Sequence, residues 1–386
     1  MQKQKFKTYG AALCLALGIT AAIPSNVTAA DLMFGESVSS ASCVGVAKGT
    51  INKQWAESTY GVKSIESGYT THPEKIFSFI ETVWPHFIEQ ATYAAISGNP
   101  AAQKTVYTQL RTMAANQVAL STVRRENTEV CWVKGINQPC NWRNYDMAAQ
   151  YFSYYSYVAY IMKPYIDQQP DAELIQDYLK QGYQNYIKTR ANPPGDGIQT
   201  LLDMYIGVYS YAMFSEKPNL AKQALRQGIA HIKRQLQNDG LIKFSSSRGV
   251  QAFFYHTYAV DVILSFGELA ERNGIQFFDD PQLGPRIRKA IELEIQYAPN
   301  AKAFEAKGTA GADLGDGRKA YTTDEKYAKR SVHSQALATA YIIQKRYPGL
   351  LDTKTRERYF PKTDYGWLTG LASGFVPGCV DWTSGK

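Results

Sequence analysis

Along most of this chain apolar residues recur at the spacing of one helix face, and the strict alternation of half-buried strands is nearly absent. The periodic segments run over 74–96, 100–126, 141–164, 171–190, 197–214, 217–238, 253–273, 284–297 and 325–346. Helix punctuation separates them: Gly98-Asn99-Pro100, Asn192-Pro193-Pro194-Gly195, Glu216-Lys217-Pro218, Asn238-Asp239-Gly240 and Arg272-Asn273-Gly274. His72-Pro73-Glu74 opens the series, with Pro73 near the first turn. The pattern predicts an all-α fold of antiparallel helix pairs. Nine or more paired helices can pack as a two-layer solenoid or close into a ring, and periodicity does not choose between them.

The ends behave differently. Lys3, Lys5 and Lys7 precede an apolar run over 11–23 that is too short to span a bilayer, and Val27-Thr28-Ala29-Ala30 offers small residues for cleavage. Residues 1–30 are therefore expected to be a signal peptide, and residues 31–386 a single domain exported to the periplasm or beyond. Its first part, 31–72, is rich in Ser, Gly and Thr and reads as an irregular arm. Residues 308–323 form a glycine-rich excursion of the kind that usually serves as an active-site lid or stays unstructured. No later segment reaches transmembrane length, so no membrane insertion is expected, and a monomer is.

The signal peptide takes three lysines and no acids with it, so the net charge falls from +8 to +5. Lysines and arginines are interspersed with acids, without the runs of a nucleic-acid binder, so nucleic acid is not an expected partner. The balance suits an acidic partner without requiring one. Cys43, Cys131, Cys140 and Cys379 remain after cleavage, an even count that in an exported chain reads as two disulfides. Of the three pairings, Cys131–Cys140 closes a short loop and Cys43–Cys379 ties the chain ends together, and these are favoured. Zinc is the competing reading, but no metal-ligand spacing supports it, and no cofactor is expected.

The densest chemistry lies over 247–259, where Arg248, Tyr255, His256 and Tyr258 fall close together. Helical spacing puts Tyr255 and Tyr258 on one face. Arg248 stands seven residues before Tyr255, two turns if the helix extends that far back. The plain alternative is core aromatics beside a capping arginine. Elsewhere, Trp142, Arg143 and Asn144 open a helix directly after the Cys131–Cys140 loop. There an indole could stack on sugar rings and a guanidinium could hold a carboxylate; a simply capped helix start is the other reading. Arg330 and His333 share a face of the last long helix, and Tyr69 in the arm could cover a bound chain. The 27 tyrosines offer an apolar face with a hydroxyl, as sugar grooves do, although most are expected to be packing.

Arg248-x6-Tyr255-His256-x-Tyr258-Ala259, after a helix and Asn238-Asp239-Gly240 and before a helix ending Arg272-Asn273-Gly274, resembles the alginate lyases of polysaccharide lyase family 5. That resemblance spans about 141–275 and more faintly Asp324-Glu325-Lys326-Tyr327. It implies an incomplete (α/α) toroid and a lyase that cleaves a uronic-acid polysaccharide. Where the family carries Asn-Asn-His-Ser-Tyr-Trp, this chain has Ile198-Gln199-Thr200, which makes it a divergent relative that keeps only a carboxamide, Gln199. The likeness implies Tyr255 as base and acid, with Arg248, Gln199 and His256 as donors to the developing charge. Tyr258, Trp142, Arg143, Asn144, Arg330, His333 and Tyr69 are the expected substrate contacts, His333 as a stand-in for the missing histidine.

The energetics are feasible. A free phenol titrates near ~10. A cation lowers a neighbouring carboxylic acid by about 1–3 pH units, and a phenol on that scale would come within reach of neutrality. Donors aimed at developing charge contribute about 3–4 kcal/mol each in favourable cases. Two other functions compete. A glycoside hydrolase on the same fold needs two carboxylates roughly 5–9.5 Å apart, with Asp146, Asp196, Asp203 and Asp261 as candidates. A non-catalytic binder of an acidic polysaccharide would keep the groove without turnover.

Overall fold

The computed structural model describes residues 87–88, 90–91, 94–95, 98–120, 130–133, 136–139, 142–188, 197–246, 248–308 and 337–360. The expected signal peptide, the expected arm with Tyr69 and Cys43, Cys140, Arg330, His333, Cys379 and most of the glycine-rich excursion lie outside them. Among the described residues the elements are α1 (Pro100–Ala115), a β1–β2 hairpin (Val130–Val133 and Ile136–Pro139), α2 (Trp142–Ile166) and α3 (Ala172–Gly182). Then follow α4 (Ile198–Phe214), α5 (Pro218–Gln235), α6 (Ala252–Arg272), α7 (Gly284–Tyr297), α8 (Ala301–Gly308), α9 (Leu337–Arg346) and α10 (Thr353–Tyr359).

Composition sorts these helices into two layers. α4 carries a single charge, Asp203, and its residues 201–212 are all buried. Residues 148–159 of α2 are buried all round as well, and α6 is nearly so. A helix apolar on every side must be enclosed by others. By contrast α3, α5 and α7 bury single stripes, such as Ala221, Ala224, Leu225, Gly228 and Ile232 on α5. α4 packs against α2, α5 and α6, and α6 in turn against α7, α8 and α9. Inner helices α2, α4, α6 and α9 thus alternate along the chain with the outer α3, α5 and α7, which is the helix-pair order of an (α/α) toroid. The ion pairs of Lys345 (2.9 Å) and Arg346 (2.5 Å) with the buried Glu268 pin α9 to α6.

The inner helices run parallel to one another. Ser153 and Tyr160 of α2 meet Met204 and Tyr209 of α4, and Tyr209 goes on to hydrogen-bond Asn273 just past α6, so position advances together on all three. Helix starts follow local chemistry. Asn99 accepts from the amides of Ala101 and Ala102 (3.0 and 3.1 Å) ahead of Pro100 at the first turn.

Three expectations need correction. The helix expected over 100–126 ends at Ala115, because Gln117 (φ +52°) and Ala119 (φ +63°) turn left-handed and break the ladder; 121–126 lie outside the described residues. The β1–β2 hairpin, in antiparallel register Val130↔Pro139, inserts a little sheet before α2. Helices α8 and α10 add to the expected series. The left-handed turn is held by tyrosines of the core: Tyr178 donates to the Val118 carbonyl (2.6 Å) and Tyr186 to that of Ala119 (3.2 Å). Tyr151, Tyr154, Tyr155 and Tyr205 are fully buried too, so these tyrosines are packing and not groove.

Candidate active site

From Ala252 to Ala270, helix α6 is buried at every position but one. The exception is Tyr255, which is partly exposed while Phe254, His256 and Tyr258 around it are buried. The α-helix does not reach back to Arg248. A 3₁₀ turn, Gly249–Gln251, precedes it and swings Arg248 into place. The Arg248 guanidinium carbon lies 4.0 Å from the centre of the Tyr255 ring, flat stacking contact for a cation on a phenol. Its Nε donates to the Phe244 carbonyl at 2.8 Å, which fixes the plane of the guanidinium. Phe254 meets the ring edge-on from the other direction (5.1 Å, 89°).

Below Tyr255, one turn further along, Tyr258 lies near enough to the buried Asp203 of α4 and Tyr154 of α2 for these groups to act on one another's titration. Burial pushes the Asp203 carboxyl well above the usual carboxylate range, an effect the Tyr258 hydroxyl only partly offsets. Burial first, then that carboxyl, pushes the Tyr258 and Tyr154 hydroxyls up as well. Burial therefore favours the neutral form of the Asp203 carboxyl, and Tyr258 lies within the core below Tyr255. The parallel register places Gln199, one turn before Asp203, level with the first turn of α6, where Tyr255 stands. Trp142, Arg143 and Asn144 begin α2, whose start lies toward the same end of the inner layer.

His256 departs from expectation. It is fully buried, with Nδ1 3.0 Å from Ser246 Oγ, Nε2 3.1 Å from the Ala290 carbonyl, and the Phe304 ring against its face. Burial lowers its titration from 6.5 to about 4. Both ring nitrogens are engaged inside the protein, so His256 is not placed to donate to a substrate at Tyr255. Asp203, weighed from the sequence only as a hydrolase carboxylate, stands one turn after Gln199 on α4. Of the hydrolase candidates, Asp203 and Asp261 are both buried, the latter accepting from Thr339, so neither can flank a glycosidic bond.

A concavity of about 590 Å³ opens on the outer layer between Lys233, Arg234, Lys243 and Arg286. Its cations mostly close the end of α5: Arg286 reaches the carbonyls of Lys233 (3.4 Å) and Leu236 (3.3 Å), and Lys233 pairs with Asp280 (2.6 Å).

Parallel inner helices inside an outer layer, with Tyr255 partly exposed beneath the Arg248 guanidinium, are the architecture of a helical-toroid polysaccharide lyase. The chain belongs to the alginate lyase family, whose family model, described as alginate lyase, matches residues 88–304, more than half of its length. The match includes Arg248, Tyr255 and helices α2 to α7 complete. No curated protein matches the chain. Among the described residues, no helix is long and apolar enough to cross a membrane.

Proposed function

We propose that this lyase cleaves a uronic-acid polysaccharide, of the alginate or polyglucuronate type, by β-elimination at Tyr255. The Tyr255 oxygen takes the proton from C5 of the uronate. The electron pair of that C–H bond becomes the C4–C5 double bond, and the C4–O bond to the leaving chain breaks. The same hydroxyl returns its proton to the leaving oxygen, so one residue serves as base and then acid. Arg248 stabilises the negative charge that gathers on the phenol oxygen and the substrate carboxylate, with the Gln199 carboxamide as second donor. Trp142, Arg143, Asn144, Arg330, His333 and Tyr69 are proposed contacts of the bound chain. His256 has no part in contacting it.

One observation carries the reading: between Ala252 and Ala270 the inner helix α6 opens at a single side chain, and that side chain lies under a guanidinium. Export through the N-terminal signal, with the Cys131–Cys140 and Cys43–Cys379 disulfides formed, would put the enzyme where such polymers are met. The test is ultraviolet absorbance of the unsaturated product on a panel of mannuronate, guluronate and glucuronate polymers. A rise on one polymer that disappears in Tyr255→Phe establishes the reaction and names the substrate. No rise on any polymer, with binding retained, would leave a carbohydrate-binding protein in place of a lyase.

A further inference from the structure

We infer that His256, Ser246 and the main-chain carbonyl of Phe244 form a positioning device that holds Arg248 on the Tyr255 ring. The inference rests on the proposed role of Arg248 and Tyr255 and adds three residues that touch no substrate.

The first sign is backbone strain. Phe244 has φ +62°, a conformation that costs a bulky side chain energy and persists only where its surroundings enforce it. The strained residue has a visible output, since its carbonyl receives the Arg248 Nε–H at 2.8 Å. That bond fixes the donor nearest the stem, and with it the angle at which the guanidinium meets the ring.

The second sign is what enforces the strain. The segment before Arg248 folds back on the end of α5: Gln237 N donates to the Leu241 carbonyl (2.8 Å) and Lys243 N to the Gln235 carbonyl (3.0 Å). Ser245 N and Ser246 N both donate to the Ile242 carbonyl (3.2 and 2.8 Å). The Ser246 hydroxyl closes this loop by accepting from Ile242 N at 2.8 Å. It also faces His256 Nδ1 at 3.0 Å, and His256 is the residue next to Tyr255.

The hydrogen-bond roles are fixed in one direction. The Ala290 carbonyl can only accept, so the proton of the neutral ring sits on Nε2 and Nδ1 is an acceptor. Ser246 then donates its one proton to Nδ1 and accepts from Ile242 N. A ring whose titration is lowered to about 4 stays neutral across the ordinary pH range, so the direction does not reverse. The loop that aims Arg248 is thereby clamped to the helix that bears Tyr255. A satisfied core histidine with no bearing on the site would look the same apart from this connection, and experiment separates the two.

The experiment uses full-length protein labelled with ¹⁵N-arginine, following the Arg248 Nε–H resonance and the steady-state constants on the best polyuronate. Phe244→Pro locks φ near −65° and cannot hold the strained turn, whereas Phe244→Gly adopts it freely and keeps the carbonyl. His256→Asn keeps an acceptor near the Nδ1 position, and His256→Ala keeps nothing. The expected result is loss of the Arg248 signal and a fall in kcat of about 10- to 100-fold in Phe244→Pro and His256→Ala, in line with the cost of small misplacements. KM changes less, and Phe244→Gly and His256→Asn recover at least tenfold over their partners. If Phe244→Pro and His256→Ala fold and keep both signal and kcat, the device does not exist. If His256→Ala fails to fold, the Phe244 pair decides, since it leaves the core intact. A lost signal with unchanged kcat would uphold the device and overturn the chemical role given to Arg248. The resonance reads the device even if no polymer is turned over.

Discussion

An arginine stacked on a tyrosine and anchored through Nε uses two properties that lysine lacks, a planar cation and a donor partway along the stem. Arg248→Lys is therefore not conservative here. It loses the 2.8 Å bond to Phe244 and the stacking, and kcat/KM is expected to fall about 100-fold, comparable to losing an oxyanion donor. A kinetic comparison of Arg248→Lys with Arg248→Ala checks this, and near-wild-type activity of the lysine variant would refute the stacking role. His256 carries a separate, thermodynamic prediction. Its folded state titrates at about 4, below the unfolded value near ~6.5, so the unfolded chain binds the extra proton between these limits. Its contribution is complete above about pH 6.5 and is lost as pH falls toward 4, by roughly 2–3 kcal/mol at pH 4.5. Urea unfolding at pH 7 and pH 4.5 should show that extra acid loss in the wild type and not in His256→Asn. The sequence invited the opposite reading of this residue. Neighbours in a chain stand about 100° apart around a helix, so the position after an exposed tyrosine faces the interior, and proximity in a motif was mistaken for proximity in space.

The seam between α2 and α4 shows how little room the inner layer leaves. A Cβ on Gly207 would collide with the Ser153 side chain and sit 2.8 Å from its Cα, which is backbone and cannot yield. Gly207→Ala is expected to destabilise the protein by about 1–3 kcal/mol, as overpacking does, despite the gain in helix propensity. Denaturant unfolding gives the number, and because α4 also carries Gln199 and Asp203, kcat should fall with it. At this scale the sequence was informative where chemistry is local. The bounds of α4, α6 and α7 were legible from apolar period and from Glu216-Lys217-Pro218 and Arg272-Asn273-Gly274. The end of α1 was hidden, because Gln117 and Ala119 adopt left-handed angles with no glycine to announce it, supported by tyrosine hydroxyls about 60 residues away. The 3₁₀ turn before α6 was hidden for the same reason, and with it the way Arg248 comes onto Tyr255.

Over the whole molecule, periodicity reported which face of each helix is apolar but not the order of neighbours, so solenoid and ring stayed open until the layers were seen. What the layers then reveal is a core that encloses ionisable groups. Asp203 on α4 and Glu294 on α7 are both buried, and burial holds each carboxyl far above its ordinary range; Asp261 on α6 pushes Glu294 further. Burial disfavours their ionised form in the folded protein, while in the unfolded chain they ionise near ~4. The unfolded state therefore releases their protons first as pH rises, and each acid's share of stability, complete below about pH 4, declines until the folded group ionises as well. His256 acts in the reverse sense on the acid side, so the two effects oppose one another between about pH 4 and 6.5, and above that only the acids remain. Asp203→Asn and Glu294→Gln keep neutral polar groups of similar shape and cannot ionise. Each variant should gain on the wild type in chemical unfolding as pH rises above about 4, until the folded carboxyl of the wild type ionises, whatever its absolute stability. Parallel pH profiles for wild type and variants would mean that these carboxyls are ionised in the folded protein, through partners that compensate their burial.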